Sequence, residues 1–187
     1  VKGISDSVRV HEVAGLGPLR TRLERSAGRG LSKFVGRAQE KQAFRNAARL
    51  ARSGSGQLIA VAAEPGVGKS RLFFEFKAEA QSGWTVLEAF AVSHGKGSAY
   101  VPIVELLHSY FDIVPEDGAV ARREKVASLV TSLDPDMEGS LPYLYALLEI
   151  ADDKERLAGM DAQLRKARTL DAIVRLFLEE SERRPLI

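Results

Sequence analysis

Ala63-Glu64-Pro65-Gly66-Val67-Gly68-Lys69-Ser70 stands directly after the apolar run Leu58-Ile59-Ala60-Val61-Ala62 and directly before Arg71-Leu72-Phe73-Phe74-Glu75-Phe76-Lys77-Ala78-Glu79-Ala80-Gln81. The uninterrupted apolar run predicts a strand. The residues after the loop predict a helix over 71–81, with Leu72, Phe73, Phe76 and Ala80 close to one face. Strand, glycine-rich loop and helix in that order make a phosphate cradle. Glycines let backbone N–H groups turn toward anionic oxygens, and the first donors of the following helix address the same anion. In this reading Glu64, Pro65, Gly66, Val67 and Gly68 wrap a triphosphate, Lys69 reaches the β- and γ-phosphates, and Ser70 ligates Mg²⁺. Arg71 completes the candidate nucleotide-contacting set. The usual pattern opens with Gly where this chain has Ala63, a permitted replacement. A chance turn between strand and helix is the alternative, and Pro65, Gly66, Gly68, Lys69 and Ser70 all in register weigh against it.

The rest of the composition limits the alternatives. A chain of 187 residues holds one domain with a sizeable core, or one domain and an appended piece. With 45% hydrophobic and 28% charged residues it reads as globular, and a net charge of +2 gives no argument for nucleic acid or membrane. No run reaches the length of a membrane span, and the N-terminus lacks the order of a signal peptide. The lack of cysteine excludes disulfides and thiolate metal sites and fits a reducing cytoplasm, where the protein is expected. His11, His94 and His108 have no ligand spacing.

Outward from the loop, residues 7–13 alternate apolar and polar side chains as a short strand does. Residues 14–37 mix Gly15, Gly17, Gly28 and Gly30 with six basic residues and one acid, Glu24, and read as a basic connector with a helical turn near residues 19–23. A surface for nucleic acid or an acidic partner is its less favoured reading. A helix is expected over 38–52, ended by Ser53-Gly54-Ser55-Gly56, and a second strand over 84–92. Ser93-His94-Gly95-Lys96-Gly97-Ser98 reads as a plain turn. Further helices are expected from Pro102 onward, over 119–133, 141–150 and 161–182, with Leu186-Ile187 opening a third strand after Pro185.

Hydrolysis at such a loop also needs an apolar strand ending in acids, which hold the Mg²⁺ shell and orient water. Two segments imitate one. Leu147-Leu148-Glu149-Ile150-Ala151-Asp152-Asp153 continues a helical period, and Leu176-Phe177-Leu178-Glu179-Glu180 lies inside the best helical pattern of the chain. The acidic strand is therefore expected to start at Pro185-Leu186-Ile187. The sequence reads as a piece of a longer protein that stops before the acids, and these 187 residues are expected to hydrolyse ATP slowly or not at all.

Phe34-Val35-Gly36-Arg37, the helix after it and the loop through Arg71 together resemble the AAA-like ATPase module of the signal-transduction ATPases with numerous domains (STAND), a type also likened to origin-recognition ATPases. The similarity runs on through residues 99–107 and 163–187, and covers about residues 33–187. It implies an α/β P-loop NTPase fold, a three-layer sandwich cut before its acidic strand and helix-rich in its second half. It further implies that Val35 and Gly36 lie near the adenine, with a helix-start and packing role as their alternative. The first two strands of that fold are not neighbours, so residues 58–62 and 84–92 are not expected to pair. Residues 1–13 resemble the closing strands of a class III adenylate/guanylate cyclase domain, and residues 14–32 would link it to the ATPase. The resemblances imply a fragment of a bacterial signalling protein that binds ATP and ADP with Mg²⁺ and works with other domains of its parent chain. A small-molecule kinase and a helical interaction scaffold with a vestigial loop are the rival readings.

Overall fold

The structure, a computed structural model, describes residues 22–80, 82–90, 100–150 and 157–187. The expected strand at 7–13, the turn at 93–98 and the acids Asp152 and Asp153 lie outside the described residues.

Helices form where a 3.6-residue apolar period meets a local stop signal. We number them α1 (Arg22–Ala27), α2 (Ala38–Arg52), α3 (Lys69–Ala80), α4 (Val101–Tyr110), α5 (Ala119–Leu133), α6 (Leu141–Leu147) and α7 (Ala162–Arg183), with a 3₁₀ helix at Pro135–Ser140. Asp161 caps α7, its carboxylate accepting from the N–H groups of Gln163 and Leu164 at 3.0 Å each. After α2, the Gly54 N–H donates to Ala51 O and the Ser55 N–H to Leu50 O, both at 3.0 Å, a left-handed closure with Gly54 at φ 87.

Residues 19–21 of the turn expected near 19–23 lie outside the described residues, and a helix is described over Arg22–Ala27. Two boundaries differ from expectation. The helix after the loop starts at Lys69 and not Arg71, because Gly68 O accepts from the Leu72 N–H at 3.0 Å and so draws Lys69 and Ser70 into the first turn. The helix expected to reach 150 stops at Leu147: Glu149 turns left-handed (φ 55) and Ile150 N–H closes onto Tyr145 O at 3.0 Å. The apolar period continues there only because Ile150 folds back into the core.

The main core lies among α4, α5, the 3₁₀ helix, α6 and α7. Leu107, Val126, Val130, Met137, Leu144 and Leu176 are wholly inaccessible there. A polar clasp closes its edge: Arg175 pairs with Asp134, whose carboxylate also accepts the Asp136 N–H at 2.9 Å. A smaller aromatic core joins α2 to α3. Phe44 sits edge-on to Phe73 at 5.4 Å and tilted against Phe76 at 4.8 Å, and outside them Arg45 and Lys41 both pair with Glu79.

Strand pairing departs most from the sequence reading. Among the described residues the sheet amounts to one parallel bridge, Thr85 to Leu186. The Thr85 N–H donates to Pro185 O at 2.8 Å, the Ile187 N–H to Thr85 O at 2.8 Å, and the Leu87 N–H to Ile187 O at 2.7 Å. Leu186-Ile187 thus lie parallel to residues 85–87 through a single bridge, and no strand is formed among the described residues. The run at 58–62 is a correction: it makes no ladder among the described residues, and Leu58 is 96% exposed. Among the described residues it forms no bridge to residues 84–90. A parallel strand is stabilised by neighbours remote in sequence, and without them an apolar run has no ladder to join.

Glu180 ties the bridge to the helical core. Its carboxylate accepts from Thr85 Oγ1 at 2.9 Å and from the Tyr110 hydroxyl at 2.8 Å. No described helix is long and apolar enough to cross a membrane.

Candidate functional site

The loop takes its shape from two glycines. Gly66 and Gly68 have φ of 83 and 93, a left-handed backbone that L side chains rarely adopt, and open space surrounds the place where a Cβ would stand. Backbone conformation, and not crowding, is what requires glycine at both positions. α3 then starts with Lys69 and Ser70 in its first turn, and no acidic residue lies in that turn to take up its free N–H groups. Those donors and the positive end of the helix dipole face the loop.

Lys69 folds back over the loop. Its ammonium donates to Ala63 O at 2.6 Å and to Glu64 O at 2.8 Å, holding the loop closed on itself. A polyanion offers a lysine stronger partners than two neutral carbonyls, so this contact is one that a phosphate chain would replace. Glu64, Pro65, Gly66, Val67, Gly68 and Ser70 are all exposed and Lys69 is half-buried, so the cradle is open to solvent.

The segment before α2 is fastened to the loop from both sides. Gly36 and Arg37 are consecutive left-handed residues with φ of 74 and 57. Their turn aims the Arg37 guanidinium at the loop, where Nη2 donates to Val67 O at 2.9 Å while Nη1 donates to Glu40 Oε1 at 2.7 Å. The bond from Arg37 holds the Glu40 carboxyl below its ordinary value. From the other side, Arg71 Nη2 donates to Ser32 O at 3.0 Å and Arg71 Nε to Glu75 at 2.6 Å. Two cations stand over the Phe34 ring, the Arg71 guanidinium 5.7 Å and the Lys41 ammonium 5.8 Å from its centre. The Val35 side chain is 73% exposed.

Of the residues singled out in the sequence, 64–70 form one continuous cradle, while the Arg71 guanidinium is engaged by Ser32 and Glu75. Val35 and Gly36 belong to the segment held against the cradle. Arg37 was not among the candidates, and its position in Phe34-Val35-Gly36-Arg37 was the signal that could have found it. Glu179 and Glu180 lie within α7, as their period indicated, and Glu180 is engaged by Thr85 and Tyr110.

Beneath α3 runs an apolar groove of about 800 Å³, lined by Phe73, Phe74, Phe76, Leu87, Phe90 and Ile187 among others. Lys77 and Glu88 at its wall pair with each other at 2.8 Å. Among the described residues no three His, Cys, Asp or Glu side chains are grouped as metal ligands.

Residues 33–187 match the family model described as AAA ATPase domain. Neither the curated proteins nor the solved structures yielded a match.

Proposed function

Because the chain belongs to the AAA ATPase domain family, we propose that it binds ATP and ADP through residues 64–70, with Mg²⁺ shared between Ser70 and the β- and γ-phosphates. One observation carries this reading. Lys69 stands at the head of α3 behind two left-handed glycines, with its ammonium resting on loop carbonyls that a phosphate chain would displace. The loop residues bind and orient the phosphates, the helix dipole favours their charge, and Lys69 neutralises part of it. Bound Mg²⁺ would supply further neutralisation of that charge. Nothing in this reading requires residues of the chain to change covalently.

The sequence resemblances extend the proposal. Phe34-Val35-Gly36-Arg37 supports a signal-transduction type of ATPase module, in which Val35 and Gly36 border the base and nucleotide state is passed to neighbouring domains. Residues 1–13 support a fusion to a nucleotide cyclase, joined through residues 14–32. A cytoplasmic setting follows from that reading and from the lack of cysteine.

Titrating a fluorescent ATP analogue in the presence of Mg²⁺ against the wild type and Lys69→Ala tests the core of the proposal. Loss of the lysine is expected to weaken binding by about ten-fold or more, the worth of one charge-assisted contact. Equal affinity for the two proteins would refute it and leave a helical scaffold with a vestigial loop.

A further inference from the structure

We propose that Arg37 is a positioning residue for the phosphate loop: its bond to Val67 O holds the Val67–Gly68 peptide with the Gly68 N–H turned toward the anion. This inference rests on the nucleotide-binding reading above and assigns a role that the loop motif does not contain.

In a trans peptide the carbonyl and the following N–H point in opposite directions. Arg37 Nη2 holds Val67 O at 2.9 Å, so the Gly68 N–H points away from Arg37. Gly68 lacks a Cβ and has open space around it, so rotation of this peptide meets little steric resistance from its own residue. A rotated peptide would present a carbonyl oxygen to a phosphate oxygen, exchanging attraction for repulsion. The freedom that lets the loop curve also lets it turn wrongly, and an anchor from outside the loop removes that freedom.

Arg37 has the attributes of such an anchor. It comes from 30 residues earlier in the chain, so its hold on Val67 is independent of the loop's own conformation. Glu40 occupies the other arm of the guanidinium fork at 2.7 Å and fixes its plane. Arg37 also occupies a left-handed backbone conformation (φ 57), which is unfavourable for a residue with a side chain. A helix can begin without that arrangement, whereas the reach of Arg37 to Val67 follows from it. The reciprocal bond from Arg71 to Ser32 O stops the segment from drifting away from α3.

Calorimetric titration of the 187-residue chain with sodium tripolyphosphate and Mg²⁺ tests the proposal, because this probe carries the phosphates and lacks a base. Arg37→Gln is expected to weaken tripolyphosphate binding by about ten-fold, and the loss should persist in 0.5 M NaCl, where long-range charge effects are screened. Glu40→Gln, which leaves the Val67 bond in place, is expected to stay within about two-fold of wild type. Arg37→Lys, which keeps the charge but not the fork, should lose affinity to a smaller extent than Arg37→Gln. The proposal is overturned if Arg37→Gln or Arg37→Lys binds as wild type does, if the loss vanishes at high salt, or if Glu40→Gln matches it. A wild type that fails to bind tripolyphosphate while binding the fluorescent ATP analogue overturns this inference alone. Failure to bind either ligand overturns the nucleotide-binding reading as well.

Discussion

Replacing Glu180 by Ala removes one side chain and disconnects three parts of the molecule. Its carboxylate takes the Tyr110 hydroxyl of α4 at 2.8 Å and Thr85 Oγ1 of the bridged segment at 2.9 Å, while its backbone belongs to α7. Burial first, and then the bond to Glu180, push the Tyr110 phenol above its ordinary value of 10.0, so the hydroxyl keeps its proton and remains a donor throughout the neutral range. A hydrogen bond to a charged group contributes about 1.5–3 kcal/mol, and for a half-buried site the lower figure is appropriate. Two such bonds put Glu180→Ala at about 3 kcal/mol of lost stability, and Tyr110→Phe, which removes one, at about 1.5 kcal/mol. The double variant has no further Glu180–Tyr110 bond to lose. Its cost should stay near that of Glu180→Ala, leaving a coupling of about 1.5 kcal/mol in the cycle. Urea unfolding followed by far-ultraviolet circular dichroism measures all four proteins, with a common slope confirming that the same surface is exposed. Amide exchange at Ile187, whose N–H bonds to Thr85 O at 2.8 Å, should quicken in Glu180→Ala. A coupling below about 0.5 kcal/mol would mean that Tyr110 and Glu180 act independently and would refute the node.

Two further perturbations test the packing and charge arguments. Leu144 is wholly buried among α5, α6 and α7, and Leu144→Ala should cost about 3 kcal/mol in urea unfolding; a cost below about 1 kcal/mol would indicate a core that collapses around the loss. Glu79 is held below its ordinary value of 4.5 by Arg45 first and by Lys41, as Asp117 is below 3.8 chiefly by Lys125. A carboxyl with a lowered folded-state value stabilises the fold above its unfolded value and stops doing so as pH falls through the folded one. The thermal midpoint should therefore hold from neutrality down to about pH 4.5 and decline below it, less steeply in Glu79→Gln; an identical decline in that variant would remove the α2–α3 ion pairs from the account.

Helix placement was largely legible because its causes are local. The apolar periods at residues 38–52 and 119–133 gave helices with the expected bounds, and Asp161 caps its own helix two and three residues on. Errors arose where the end of a helix depends on what the chain does next. Ile150 continued an apolar period, yet it belongs to a left-handed closure that returns it to the core. The strands were legible as apolar runs and not as a sheet. The sequence identifies residues 58–62 as apolar, but pairing partners are supplied by remote parts of the chain, and among the described residues only Thr85 and Leu186 meet.

The phosphate loop lies on the side that sequence alone determined. Left-handed glycines, a lysine and a hydroxyl at the head of a helix are properties of eight consecutive residues, and their geometry follows from their own backbone preferences. Tertiary structure alone decided which remote side chains meet that loop and the strand-like segment beside α7. Arg37 reaches Val67 across 30 residues and Glu180 reaches Thr85 across 95, because hydrogen bonds depend on distances in space that no local spacing encodes.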